Sequence, residues 1–63
     1  MKVRMLSKDT DTIHEYSSIA RVRIEKLDNR DVYGIYYVLE REDGTNSYCL
    51  EEWDIQVRKE INE

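Results

Sequence analysis

The sequence predicts an all-β domain, and three observations carry that expectation. Residues Ala20–Leu27 (ARVRIEKL) set Ala20, Val22 and Ile24 on one face and Arg21, Arg23 and Glu25 on the other, the period of two that a strand requires. Val32–Glu40 (VYGIYYVLE) is almost wholly β-branched, aromatic or aliphatic, the side chains that suit a pleated surface. Turn-forming residues bracket that run, at Asp28–Asp31 (DNRD) and at Arg41–Asn46 (REDGTN).

The remaining elements follow in order. Lys2–Leu6 (KVRML) reads as a first strand with Val3 and Met5 inward. Ser7–Thr12 (SKDTDT) is polar and reads as a loop, and Ile13–Ser18 either continues it or forms a short irregular strand. Residues 12–27 carry a rival helical pattern. Thr12 and Glu15 have capping-box spacing, and Ile13, Tyr16, Ala20, Ile24 and Leu27 recur at helical intervals. The strand is preferred because a helix would turn Val22 to solvent. Asn29 is expected to take positive φ in a tight hairpin, and Gly34 marks a bulge or bend in the central strand. Ser47–Leu50 (SYCL) is a short strand, and Asp54–Arg58 (DIQVR) a last strand burying Ile55 and Val57. The alternative for the end is a helix over 50–62, with Leu50, Trp53, Val57 and Ile61 on one stripe, which would make the domain α+β.

Five short strands, a long loop after the first and two tight hairpins resemble the SH3-like small barrel; a strongly bent antiparallel sheet is the looser form of the same expectation. The resemblance is one of architecture over residues 1–63, read as a single domain. The ALYDY-type loop motif of eukaryotic SH3 domains is absent, so their proline-rich ligand does not carry over. The expected core is Val3, Met5, Ala20, Val22, Ile24, Ile35, Tyr37, Leu39, Leu50, Ile55 and Val57.

Composition narrows the function. The chain has 63 residues, one cysteine (Cys49) and one histidine (His14), so no internal disulfide forms and no zinc-ligand pairing is present. No cofactor is expected. The longest apolar run is Ile35–Leu39, far below the roughly 20 residues that span a bilayer. A lone thiol with no visible secretory signal predicts a reducing, cytoplasmic setting. The formal charge is −4, distributed unevenly: residues 1–39 carry seven Lys/Arg against six Asp/Glu, and residues 40–63 three against eight. An acidic chain repels phosphate backbones, so nucleic acid is a disfavoured partner. If it were bound, Arg4, Arg21 and Arg23, with Lys2, would be the contact face.

Catalysis is not expected. His14 lies near Asp9, Asp11 and Glu15, but a polar loop holds such residues by composition alone. No phosphate loop or nucleophile elbow occurs. Cys49 is followed closely by Glu51 and Glu52, whose charge disfavours the thiolate. The aromatics point instead to protein binding or self-association. Five tyrosines and a tryptophan stand without a single phenylalanine, and tyrosine is favoured at interfaces. Tyr36 and Val38 fall on the outward face of the central strand, rimmed by Glu40 and Glu42. Tyr16 and Trp53, expected to be neighbours, would offer a peptide groove or an aromatic cage. The reading is a small acidic adaptor, inhibitor or regulator. Stand-alone genes of this size are frequent in bacteriophages and mobile elements, and that size is the sole ground for expecting such a source. A structural self-assembling component is the third reading.

Overall fold

The computed structural model describes residues 1–59. They form six strands and no helix: β1 (Lys2–Ser7), β2 (Ile13–Tyr16), β3 (Arg21–Asp28), β4 (Tyr33–Arg41), β5 (Gly44–Cys49) and β6 (Trp53–Arg58). All pairings are antiparallel, in two three-stranded sheets ordered β2-β1-β6 and β3-β4-β5. The all-β class is as the alternation predicts. Six strands stand where five were expected, because Ile13–Tyr16 pairs with β1, Val3 opposite Tyr16 and Leu6 opposite Ile13. The helical alternatives for 12–27 and 50–62 are overturned over the described residues. β3 pairs along its length with β4, and β6 pairs with β1 from Lys2–Arg58 to Ser7–Trp53. Residues 60–62 of the second alternative lie outside the described residues.

The sheets are separate ladders and do not close into a barrel. Isolated hydrogen bonds tie them together. The Met1 ammonium donates to the Ile19 carbonyl at 2.8 Å, and the Ile19 amide returns a bond to the Met1 carbonyl at 2.9 Å. Within the first sheet, the Lys8 amide donates to the Glu52 carbonyl at 2.9 Å and carries the β1–β6 ladder one step past Ser7–Trp53.

Local chemistry explains the turns. Ser7 Oγ accepts from the amides of Asp9 and Thr10, which folds the loop back so that the Ser7 amide reaches the Thr12 carbonyl. At the β3–β4 turn Asn29 works differently from the expectation. Among the described residues, positive φ outside glycine occurs at Ser18 alone. Asn29 instead accepts through Oδ1 from the amides of Asp31 and Val32 at 3.1 and 2.9 Å, an Asx turn. The β4–β5 hairpin closes at Gly44, whose φ of +149° is open to glycine and disfavoured for other residues.

The core lies between the sheets. Val3, Met5, Ile19, Leu39 and Tyr48 are buried in it, with Met1, Tyr16, Val22, Tyr37, Trp53 and Ile55 packed around them. Several expected core residues are not buried. Ala20 is exposed, as are Ile24 (63 %), Ile35 (47 %) and Val57. The cause is a difference in sheet length. β4 has nine residues and β3 eight, whereas the opposing β2-β1-β6 sheet is built on six-residue strands and one of four. The inward face of the longer sheet is covered near Val22, Leu39 and Tyr48 and runs past the cover at Ile24 and Ile35. The molecule is accordingly elongated, 45 × 27 × 15 Å. Ile19 escapes a strand-based reading because it lies just before β3, outside any alternation, yet it fills the seam where the two sheets are tied.

Candidate functional site

The register of β3-β4-β5 sorts its side chains into two faces. Cross-strand partners share a face, so Arg23–Val38–Ser47 and Glu25–Tyr36–Cys49 lie on one side, and Ile24–Tyr37–Tyr48 on the other. Tyr36, Val38 and Glu40 therefore share the outward face, as the sequence places them. Their exposure differs from the expectation. Val38 is only 3 % exposed, although it lies outside the central core cluster, so it is not the exposed contact residue that the alternation implies. Arg23 and Ser47 flank it across the strands, and Tyr36 and Glu40 along β4. Arg23 is fixed there by ion pairs to Glu25 and Glu40. Its aliphatic stem supplies cover, and its Nε is itself shut off from solvent, 3.5 Å from the Glu40 carboxylate without a hydrogen bond. Tyr36 is half-buried: its ring stands 3.6 Å from where a Cβ on Gly34 would sit, and its hydroxyl donates to the Tyr33 carbonyl at 3.4 Å. That distance is ordinary contact, so the ring would tolerate a Cβ there; glycine is required at 34 by its φ of +131°.

Glu40 joins the two arginines. It accepts from Arg21 and pairs with Arg23 at 3.5 Å. The hydrogen bond from Arg21 is the main cause holding the Glu40 carboxyl below the ordinary carboxylate range. Desolvation works against it, and the two guanidinium charges reinforce it. A depressed carboxylate stabilises the fold above its unfolded value and loses that contribution as pH falls through the folded one. In an NMR titration the Glu40 side chain is expected to ionise below 4.5, the unperturbed value. Arg21→Gln should move the midpoint upward, and an unchanged midpoint would refute the pairing. Glu42 sits exposed in the tight turn after β4.

These pairings also decide the cationic face. Arg4 lies on β1 and pairs with Glu15 at 2.8 Å. Arg21 and Arg23 lie on β3, in the other sheet, and pair with Glu40 and Glu25. The three arginines do not form one surface, because β1 and β3 are not sheet neighbours, and each guanidinium faces a carboxylate.

Tyr16 and Trp53 come together through an intermediary the sequence reading did not single out. Tyr48, buried between them, meets Tyr16 edge-on at 6.1 Å between ring centroids and Trp53 at 4.8 Å. Its hydroxyl hydrogen bonds with those of Tyr16 and with His14 Nδ1, the latter at 2.9 Å. Arg41 stands over the Tyr16 ring at 5.3 Å. The expected groove or cage is therefore filled from within by Tyr48, and a cation already occupies the Tyr16 face. Burial first, then the bond with Tyr16, pushes the Tyr48 hydroxyl well above the ordinary tyrosine value, so it stays protonated.

The exposed apolar surface lies elsewhere, on the inward face of the longer sheet beyond its cover. Ile24, Ile35 and Tyr33 (76 % exposed) form it, with half-buried Tyr37 and Leu50 at its margin. An open concavity of about 330 Å³ over Tyr33, Ile35 and Leu50 is flanked by Lys26 and Glu51. The signal for this patch was present as the unbroken apolar run itself; what the sequence lacked was the length of the opposing sheet. Among the described residues no group of three or more His, Cys, Asp and Glu side chains is arranged to hold a metal ion, and no helix is long and apolar enough to cross a membrane. Comparison with protein-family models, with curated proteins and with solved structures finds no match to this chain.

Proposed function

We propose that this protein is a non-enzymatic protein-binding module, an adaptor, inhibitor or regulator. Its contact surface is the uncovered apolar end of the β3–β4 hairpin. The single observation that carries the reading is the exposure of Ile24, Ile35 and Tyr33 on one continuous face of a 63-residue chain. Isolated exposed apolar residues are normal; a contiguous group on a rigid sheet marks a contact site. Lys26 and Glu51 at its sides supply the polar rim that interfaces carry. The strand order and the tight β4–β5 hairpin support a finer reading of the architecture as SH3-like, with its two sheets left unclosed.

The test is affinity capture from extract of the native host, with the wild type beside a Tyr33→Ser/Ile35→Thr variant. Both replacements tolerate an exposed strand, so the variant should keep the wild-type circular dichroism. It should lose the proteins that the wild type retains. An identical set of captured proteins from both would overturn the reading.

A further inference from the structure

We infer that the free edge of β3 is a homodimer interface, in which two copies pair their β3 strands antiparallel about a two-fold axis at Ile24. The inference rests on the protein-binding reading above and names a partner, a second copy of this chain.

The backbone supplies the first argument. β3 pairs with β4 on one side, and among the described residues no strand lies on the other. The Leu50 amide donates to the Ile35 carbonyl, so the odd-numbered peptide groups of β4 point toward β5 and the even-numbered ones toward β3. By the register, Arg21, Arg23 and Glu25 pair with Glu40, Val38 and Tyr36 and direct their peptide groups to β4. Val22, Ile24 and Lys26 then present theirs outward. An edge of eight residues with no proline or bulge is a template for strand addition.

Side-chain charge supplies the second argument and selects the occupant. Lysine and arginine on an edge ordinarily repel a second strand. Here Glu25 follows Arg23 by two residues, on the same face. With the axis at Ile24, Arg23 of each copy faces Glu25 of the other, twice by symmetry. Lys26 meets Val22, Arg21 meets Leu27, and no like charges oppose. Moving the axis to Glu25 sets carboxylate against carboxylate. A half-residue shift, between Ile24 and Glu25, is closed by geometry: it sets an outward-directed peptide against one already bonded to β4. Axes at Val22, Arg23 and Lys26 likewise oppose like charges, so Ile24 is the centre that keeps most of the edge paired and its charges complementary.

The third argument is the uncovered apolar face. The axis runs perpendicular to the joined sheet, so both overhangs lie on the same side of it. The two Ile24 side chains, 63 % exposed in the single chain, become direct neighbours as a hydrogen-bonded pair. Val22, at the covered end of each hairpin, lies beside Lys26 at the uncovered end of the other. About six backbone hydrogen bonds close between residues 22 and 26 of the two copies.

Sedimentation velocity over a concentration series tests the interface. The wild type should dimerise. Arg23→Glu alone sets carboxylate against carboxylate at both symmetric contacts, and Glu25→Arg alone sets guanidinium against guanidinium. Each should weaken the dimer about tenfold or more. Mixed in equal amounts, the two variants should recover wild-type affinity, because each then meets its opposite charge. Circular dichroism of each variant checks that its fold is intact. Ile24→Lys, which changes neither the Arg23–Glu25 nor the Arg23–Glu40 pair, should also weaken the dimer by placing two ammonium groups at the axis. A wild type that stays monomeric, or a mixture no tighter than its components, overturns the inference. Arg23 and Glu25 lie on the face opposite Ile35, so failure here leaves the Tyr33→Ser/Ile35→Thr capture result to stand or fall by itself.

Discussion

Leu39→Ala is expected to unfold much of the protein at room temperature, while Ile24→Thr should melt within about 4 °C of the wild type at low protein concentration. Both residues sit on the same face of neighbouring strands, and an alternation pattern treats them alike. Leu39 is wholly buried in the centre of the core cluster. Truncating it removes contacts with both sheets and leaves a void, at a cost of about 2–5 kcal/mol. A chain of this size has about 3–9 kcal/mol of stability in total, so the loss consumes most of it. Ile24 lies on the overhang, and threonine keeps its β-branching, so little changes in the single chain. Thermal melts followed by circular dichroism measure both. Equal destabilisation of the two variants would show that the overhang is covered in solution. A near-native Leu39→Ala would place the core elsewhere.

That contrast shows what a one-chain pattern encodes. Which residues share a face is local: it follows from the pleat, and Val22, Ile24, Tyr37, Leu39 and Tyr48 lie together as their spacing implies. Whether a face is covered is not local, because it depends on the length of the opposing sheet. Val38 shows the converse. It stands on the outward face, as read, but the Arg23–Glu25–Glu40 network and its strand neighbours close over it. The sequence offers Glu40 as an acidic rim and Arg23 as part of a cationic face, and only the register brings Glu40 opposite Arg21 and beside Arg23. Ile13–Tyr16 was ambiguous for a third reason. Three of its four side chains are exposed, so no alternation marks it, and it is a strand through its pairing with β1. Trp53 and Tyr16 were legible as an aromatic pair across the chain. Tyr48, the residue joining them, was hidden in a short strand whose other members are small or polar.

Tyr48→Phe is the test of that junction, and it is expected to cost about 1–2 kcal/mol at neutral pH and to change how stability depends on alkali. The hydroxyl of Tyr48 is the meeting point of β2 and β5 side chains: it holds the Tyr16 hydroxyl and His14 Nδ1. Phenylalanine keeps the ring packing against Trp53 and removes both hydrogen bonds. Because His14 and Tyr16 are at least partly exposed, water replaces what they lose, so the cost stays near that of ordinary hydrogen bonds rather than of a buried unpaired group. The pH dependence follows from the raised ionisation of Tyr48, caused first by burial and then by Tyr16. Below about pH 10 the hydroxyl is protonated in folded and unfolded chains alike, and the contribution is complete. Above it the unfolded chain releases the proton while the folded chain retains it, so stability falls as pH rises, by at most about 1.4 kcal/mol per pH unit for this one group. Denaturation midpoints measured from pH 8 upward should therefore drop less steeply in Tyr48→Phe than in the wild type. Tyr16→Phe separates the two causes: it leaves the burial of Tyr48 in place, so most of the alkaline slope should persist. Equal slopes in the wild type and Tyr48→Phe would mean that the Tyr48 hydroxyl is open to solvent and that the two sheets are joined at this seam by apolar packing alone.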